Sequence, residues 1–251
     1  NPFAIHYNDI LCLFEDVTGI IWLGSDGTGA SYYDQHLIKF NVLTNHQVPK
    51  TVNVDVVRSI TTDNDNNLWV GTSGKGLTFI DFKTDTYKTY TTTNSPLLSN
   101  RIISLSYQDD ELWIGHQGFG LNIINKKDEY ESFPEIKRLT IWRIINQSKN
   151  QSWLCTESNG MILYDKNKGI LKQYNKDNSD LTTNDIKTLV IGNNNNLWIG
   201  TDGGGVSKLD IKRPKFNLFP VFESDYPELK DFFIKCFNQI QFYFILFYKY
   251  L

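Results

Sequence analysis

A chain of 251 residues, 40% hydrophobic and 14% aromatic, carries enough apolar mass to bury a large core, which excludes disorder over most of its length. Its formal net charge of -3 and its scattered Lys and Arg residues exclude the basic face of a nucleic-acid binder. Cys12, Cys155 and Cys236 lie far apart and form no CxxC pair, so neither a structural zinc site nor a dense disulfide framework is indicated.

The first residues, NPFAIHYNDI, lack a basic segment followed by an apolar run, so no signal peptide is expected there. Phe3-Ala4-Ile5-His6-Tyr7 reads as the outermost strand of a preceding unit. Four short strands are predicted next, over 10–14, 20–25, 30–34 and 38–42. The segment between the first two, Asp-Val-Thr-Gly, has the residues a tight turn needs.

This unit recurs. Trp22, Trp69, Trp113, Trp153 and Trp198 are separated by 47, 44, 40 and 45 residues. Two positions after each stand Gly24, Gly71, Gly115, Cys155 and Gly200. Seven after stand Gly29, Gly76, Gly120, Gly160 and Gly205, and twelve after stand Asp34, Asp81, Asn125, Asp165 and Asp210. Before each Trp lies an apolar pair: Ile10/Leu13, Val57/Ile60, Ile102/Leu105, Ile141/Ile144 and Ile186/Leu189, with the third repeat one residue shorter.

Five four-stranded units of this length specify an all-β fold, a β-propeller of about five blades. The tryptophans and the glycines seven residues on are assigned to the frame. The blades span residues 1–222.

The tail, 223–251, breaks the pattern. Residues 227–240 could form a short helix starting at Pro227. The apolar run from Phe242 to Tyr248 is far shorter than the roughly 20 residues of a membrane helix. A tail so rich in Phe, Tyr, Ile and Leu also reads as an aberrant or truncated end.

Phe14-Glu15-Asp16, Gly19-Ile20-Ile21-Trp22-Leu23-Gly24-Ser25, Gly27, Gly29, Asp34 and Phe40 resemble the two-component regulator propeller repeat. Ser95-Pro96-Leu97-Leu98-Ser99-Asn100-Arg101-Ile102 and Asp180-Leu181-Thr182-Thr183-Asn184-Asp185-Ile186 resemble the link between its blades. The resemblance covers roughly residues 3–220. Rings of that family typically have seven blades, so the resemblance implies that these five are an incomplete part of a seven-bladed ring, with a closed five-bladed ring as the alternative. It implies a non-catalytic periplasmic sensor region of a bacterial hybrid two-component system, with an oligosaccharide as ligand. A homodimer of the full-length sensor is also implied, as are a membrane segment and a histidine kinase in a downstream region.

Two repeats depart from the pattern. The fourth reads Trp153-Leu154-Cys155-Thr156-Glu157-Ser158-Asn159-Gly160, and the third has His116 in place of Thr and lacks the acidic turn in its usual place.

Chemistry is sparse. GxSxG and HExxH are missing, and His6, His36, His46 and His116 follow no ligand spacing. The glycines after each Trp lead into another strand, whereas a phosphate loop leads into a helix. Asp63-Asn64-Asp65-Asn66 begins like a calcium loop but has Leu68 where the glycine belongs, so a plain turn is expected. An Asp recurring twelve residues after the Trp, at 34, 81, 165 and 210, fits a strand-end hydrogen bond better than an acid pair. No metal and no cofactor are expected.

Ligand-binding candidates are therefore the residues that depart from the repeat near the loops after the second strands: Lys75, His116, Phe119, Glu157, Asn159 and Asp202. Arg58, Arg101, Trp142 and Arg143 join them from on or beside the innermost strands. Trp142 reads as a break in a usually small or polar position; its indole could stack on a sugar while Arg143 takes a carboxylate or sulfate. The alternative is that Trp142 wedges between blades and Arg143 pairs with an acid. A protein-docking propeller and a propeller lyase or glycosidase stand as the other functional classes.

Overall fold

The computed structural model describes residues 9–27, 29–34, 39–192, 196–210 and 216–219. Each of the five repeats forms one four-stranded antiparallel sheet with its strands in chain order. The first blade holds β1 (Ile10–Glu15), β2 (Ile21–Ser25), β3 (Gly29–Asp34) and β4 (Lys39–Leu43). The second holds β5 (Val57–Thr62), β6 (Leu68–Thr72), β7 (Leu77–Asp81) and β8 (Thr86–Tyr90). The third holds β9 (Ile102–Gln108), β10 (Glu111–His116), β11 (Gly120–Asn125) and β12 (Tyr130–Ser132), followed by a 3-10 turn, Pro134–Ile136. The fourth holds β13 (Ile141–Ser148), β14 (Gln151–Thr156), β15 (Met161–Asp165) and β16 (Gly169–Tyr174). The fifth holds β17 (Ile186–Ile191), β18 (Asn196–Thr201), β19 (Val206–Asp210) and β20 (Phe216–Phe219). The fold is an all-β propeller architecture of five blades among the described residues. Phe3–Tyr7, the 222/223 boundary, the helix over 227–240 and Cys236 lie outside them.

The chain divides into two units, Asn1–Arg138 with three blades and Leu139–Leu251 with two. Within each unit a blade buries its apolar side chains against the next, because a single four-stranded sheet has no interior of its own. Trp22 shares a core with Val57, Ile60, Leu68, Val70 and Ile80 of the second blade. Trp69 does the same with Ile102, Leu112, Ile114 and Ile124 of the third, and Trp153 with Ile186, Leu189, Leu197 and Ile199 of the fifth. Trp22, Trp69, Trp113 and Trp153 are buried, while Trp198 is half-buried beneath the Lys208 ammonium, 5.2 Å from its ring.

The glycine seven residues after each Trp is demanded twice over. Gly29, Gly76, Gly120, Gly160 and Gly205 all have φ between 71° and 89°. A Cβ on Gly76 would also strike the Tyr90 carbonyl, and one on Gly160 the Tyr174 carbonyl. Positive φ turns β6 back into β7, and the bare Cα lets the end of the fourth strand pass against it. The residue three after the Trp closes the same turn: Thr72 Oγ1 donates to the Gly76 carbonyl at 2.8 Å, Thr156 to that of Gly160 at 2.7 Å and Thr201 to that of Gly205 at 2.8 Å.

An additional anchor lies six residues before the Trp. Asp16 Oδ2 accepts the Trp22 indole N–H at 3.0 Å and Asp63 Oδ2 that of Trp69 at 3.3 Å, while Gln147 Oε1 does so for Trp153 at 2.8 Å. The other oxygen of Asp63 accepts the N–H groups of Asp65 and Asn67, so this carboxylate closes its own turn, as a plain turn requires.

In the third blade Asp109 and Asp110, with φ of 48° and 63°, make a two-residue turn between β9 and β10 instead. The acid is lost from its place, and the buried Trp113 Nε1 has no hydrogen-bond partner. This is the structural cost of the shortened third repeat.

The acids twelve residues after the Trp serve turns as well. Asp81 Oδ1 accepts the N–H groups of Lys83 and Thr84, and Asp165 Oδ1 those of Asn167 and Lys168.

Candidate functional site

All five innermost strands carry a register shift at one equivalent place. The shifts fall between Ile10 and Cys12, Val57 and Ser59, Ile102 and Ser104, Ile141 and Arg143, and Ile186 and Thr188. Each leaves one bulged residue: Leu11, Arg58, Ile103, Trp142 and Lys187. A bulge re-aims its side chain out of the strand's alternation. The frame around it recurs while the residue on it does not.

Sequence reasoning found Arg58 and Trp142 here and missed Leu11, Ile103 and Lys187. The signal was present in the apolar pairs: Ile10/Leu13 and its four counterparts are spaced by three, and a strand of period two reaches the same face at that spacing only with one extra residue.

The structure corrects the reading of Trp142 as a break in a small or polar position, because its equivalents are Leu11, Arg58, Ile103 and Lys187. The break belongs to the next residue. Cys12, Ser59, Ser104 and Thr188 stand opposite a glycine, whereas Arg143 stands opposite Cys155. Gly71 leaves room in which an added Cβ would meet Ser59 Oγ and Ile102, and at Gly24 the equivalent room faces Cys12 Sγ and Val57. Cys155 fills that notch from the other strand. Burial pushes its thiol up to about 12, against the opposing charge of Arg143, so it is a packing atom and not a nucleophile.

In the second unit the bulges of blades four and five meet. Trp142 Nε1 donates to Asp185 Oδ1 at 3.0 Å. The Lys187 ammonium lies 4.1 Å from the centre of the Trp142 ring and 3.0 Å from both Asp185 Oδ2 and Asp202 Oδ2. Burial raises the Asp185 carboxyl above its ordinary range, and the Asp202 charge adds to this, while Lys187 and the indole oppose it. Of the predicted site residues, Trp142 and Asp202 are thus brought together through two that were not predicted. The set combines an indole plane, one ammonium and two carboxylates on elements pinned by backbone bonds such as Asp202 N–H to the Asp185 carbonyl, 3.0 Å.

The remaining candidates in that unit lie in the turn after β14. Glu157 is exposed, and its N–H donates to the Thr140 carbonyl at 3.2 Å. Asn159 is half-buried and held by Thr156 Oγ1 and Gln173 Nε2.

In the first unit the turn after β6 pairs with the link into blade three. Ser73 bridges Arg101, and the N–H groups of Gly74 and Gly76 both donate to the Asn100 carbonyl at 3.0 Å. Lys75 and Arg101 are exposed beside each other's loops, whereas Arg58 is half-buried with its Nε unpartnered. Phe119 is 50% exposed at the tip of its turn.

His116 does not face solvent. It is fully buried, and its Nε2 lies 3.0 Å from Asn122 Oδ1. Because Asn122 uses its amide N–H on the Glu131 carbonyl, Oδ1 must accept and Nε2 must donate. Nδ1 is left without a hydrogen bond. Burial lowers the imidazole to about 4, against the pull of Asn122 and the carbonyls of Ser99 and Arg101. The residue that replaced the repeat's Thr is an internal brace that ties β10 to β11, and it is removed from the ligand set.

Residues 51–74 and 180–203 match the family model described as two component regulator propeller. Both stretches cover the link, first strand, first turn and second strand of a blade. The extracellular domain assigned to the hybrid two component system BT3049 of B. thetaiotaomicron is 23% identical, with a TM-score of 0.70 over 86% of this chain and 29% of that one. PorZ, a surface component of the type-IX secretion system of Porphyromonas gingivalis, is 16% identical, with a TM-score of 0.63 over 80% of this chain and 32% of that one. Virginiamycin B lyase from Staphylococcus aureus is 14% identical, with a TM-score of 0.65 over 84% of this chain and 70% of that one. At these identities the likeness shows the fold. The chain spans about a third or less of the first two relatives. No curated protein sequence matches the chain. Among the described residues, no helix is long and apolar enough to cross a membrane.

Proposed function

We propose that this chain, whose repeats are those of the two component regulator propeller family, is the non-catalytic, ligand-reading part of a hybrid two-component sensor that faces the periplasm. The observation that carries this reading is the bulge repeated in five innermost strands with five different side chains. A recurrent backbone frame presenting non-recurrent residues suits recognition, whereas an enzyme needs one constellation of acids or nucleophiles.

The ligand is an oligosaccharide. The Trp142 plane offers a stacking surface, and Asp185 and Asp202 offer acceptors to sugar hydroxyls, with Lys187 holding the three in place. Ligand binding would act on the kinase by favouring one placement of the receptor's domains over another.

Calorimetry against a panel of polysaccharide digests tests this. The expected result is one glycan family that binds, with the heat abolished in Trp142→Ala and reduced in Asp202→Asn. A protein that gives no heat with any glycan, yet dimerises through its loops, would overturn it in favour of a docking propeller. The half-exposed Phe119 is the residue that second reading rests on.

A further inference from the structure

A cavity of about 290 Å³ opens between the second and third blades, away from the bulged residues. Its walls include Trp69, Phe79, Tyr90 and Tyr107, and its charged groups are Asp63, Asp65, Asp110 and Asp128 against Lys88 and Lys126. Four carboxylates against two ammonium groups leave an excess of two negative charges.

A turn residue beside this lining differs between blades. At the junction of blades one and two, Phe82 from the turn after β7 stacks over Trp22, with centroids 6.2 Å apart and planes 17° apart. The equivalent residue in the turn after β11 is Lys126. Its ammonium swings to Asp110, 2.8 Å away, and leaves the groove over Trp69 open. Inside, Trp69 stacks on Tyr90 at 5.9 Å and meets Phe79 at 4.8 Å and 59°, so ring faces and edges line a slot.

The phenols remain neutral donors. Burial, reinforced by nearby carboxylates, raises Tyr90 well above its usual value and pushes Tyr107 up to about 12. The chain's own Lys88 ammonium already rests 5.9 Å from the Phe79 ring at this lining.

We propose that this interblade slot binds a compact organic cation, a protonated amine on a small ring or apolar body. Aromatic faces attract a cation through their quadrupole, and desolvation within walls strengthens this. Asp65 and Asp128, the latter also accepting the Tyr90 phenol, provide the counter-charge, since Asp110 is already paired with Lys126 and Asp63 closes its own turn. The volume lies near the roughly 300 Å³ lower bound of small-molecule pockets. This site is independent of the glycan reading, and neither depends on the other.

Benzylamine, with benzyl alcohol as its neutral counterpart, tests the proposal by calorimetry and by the indole N–H resonance of Trp69. The amine is expected to bind at least tenfold more tightly than the alcohol and to shift that resonance. Asp128→Asn should weaken the amine several-fold. Lys126→Phe, which installs the plug of the neighbouring junction, should abolish binding, whereas Lys126→Ala, which removes the same ammonium without a plug, should retain it. Equal binding of amine and alcohol, an unmoved Trp69 resonance, or full binding by Lys126→Phe would each overturn the assignment.

Discussion

The junction between blades one and two and the junction between blades two and three are assembled from the same repeat, yet a phenyl ring covers the indole of one while a lysine turns away from the indole of the other. Both place an indole, held by an aspartate six residues earlier, against the apolar strands of the next blade. They differ in the turn residue that faces the indole, Phe82 in one and Lys126 in the other, and in the shortened turn whose Asp110 holds Lys126. Repetition thus fixes the skeleton of a junction, while its occupancy is set by a residue at the edge that the skeleton does not constrain.

The largest effect should come from removing the indole of the second junction. Trp69→Ala is expected to cost about 3–5 kcal/mol in urea unfolding, because the cavity it leaves joins an existing one and cannot collapse. Gly76→Ala follows, at about 2–3 kcal/mol by the same measurement, since it strains a positive φ and drives a methyl group into the Tyr90 carbonyl.

The third effect depends on pH. The folded His116 is depressed below its unfolded value, so the unfolded chain binds the proton first. Stability should be complete above about pH 6.5, the unfolded value, and should decline as pH falls from there toward about 4. His116→Thr, which restores the repeat's residue, should flatten that part of a stability-against-pH curve.

A separate acid limb is expected lower. Hydrogen bonds from Thr18, Trp22 and Ile20 outweigh burial and hold Asp16 below its ordinary range, so its contribution is present above the unfolded value of 3.8 and is lost as pH falls through the folded one. Asp16→Asn should shrink that limb, to which the lowered Asp81, Asp110 and Asp165 also contribute, and leave the His116 region untouched. The smallest effect belongs to the plug. Phe82 is half-exposed, and Phe82→Ala should cost about 1 kcal/mol in the same unfolding assay. If it cost as much as Trp69→Ala, the two junctions would differ in architecture and not merely in filling.

The blades were legible because their markers recur at every turn of the pattern. Five tryptophans and five positive-φ glycines at one offset leave no other period, and the strand limits expected for the first blade agree with β1–β4 to within a residue. The indole anchor was harder to see. Asp16 and Asp63 share their place with Gln147 but also with Tyr107 and Gly192, so a hydrogen bond made in some blades does not stand out as a recurring letter.

The bulge was written in the spacing of Ile10/Leu13 and its counterparts, yet it requires reading a three-residue interval as a defect in a two-residue alternation. Lys187 was hidden by type: a lysine beside an aspartate looks solvated until the fold lays it on Trp142. His116 was misjudged for the converse reason, since its departure from the repeat suggested a reader of ligands while its neighbours bury it. The slot between blades two and three could not be read at all. It depends on which way Lys126 turns, and that is decided by Asp110 across the sheet.

Two buried thiols among the described residues have a practical use. Cys12 fills the notch opposite Gly24 in the first unit, and Cys155 occupies the corresponding notch in the second; both are thiols outside any disulfide and shut from solvent. A thiol-directed reagent can reach either one only when its own blade junction parts, so their modification rates form two separate clocks, one for each unit. Added ligand that slows the Cys155 clock alone would locate its grip on the second unit, and one that slows the Cys12 clock alone would locate it on the first.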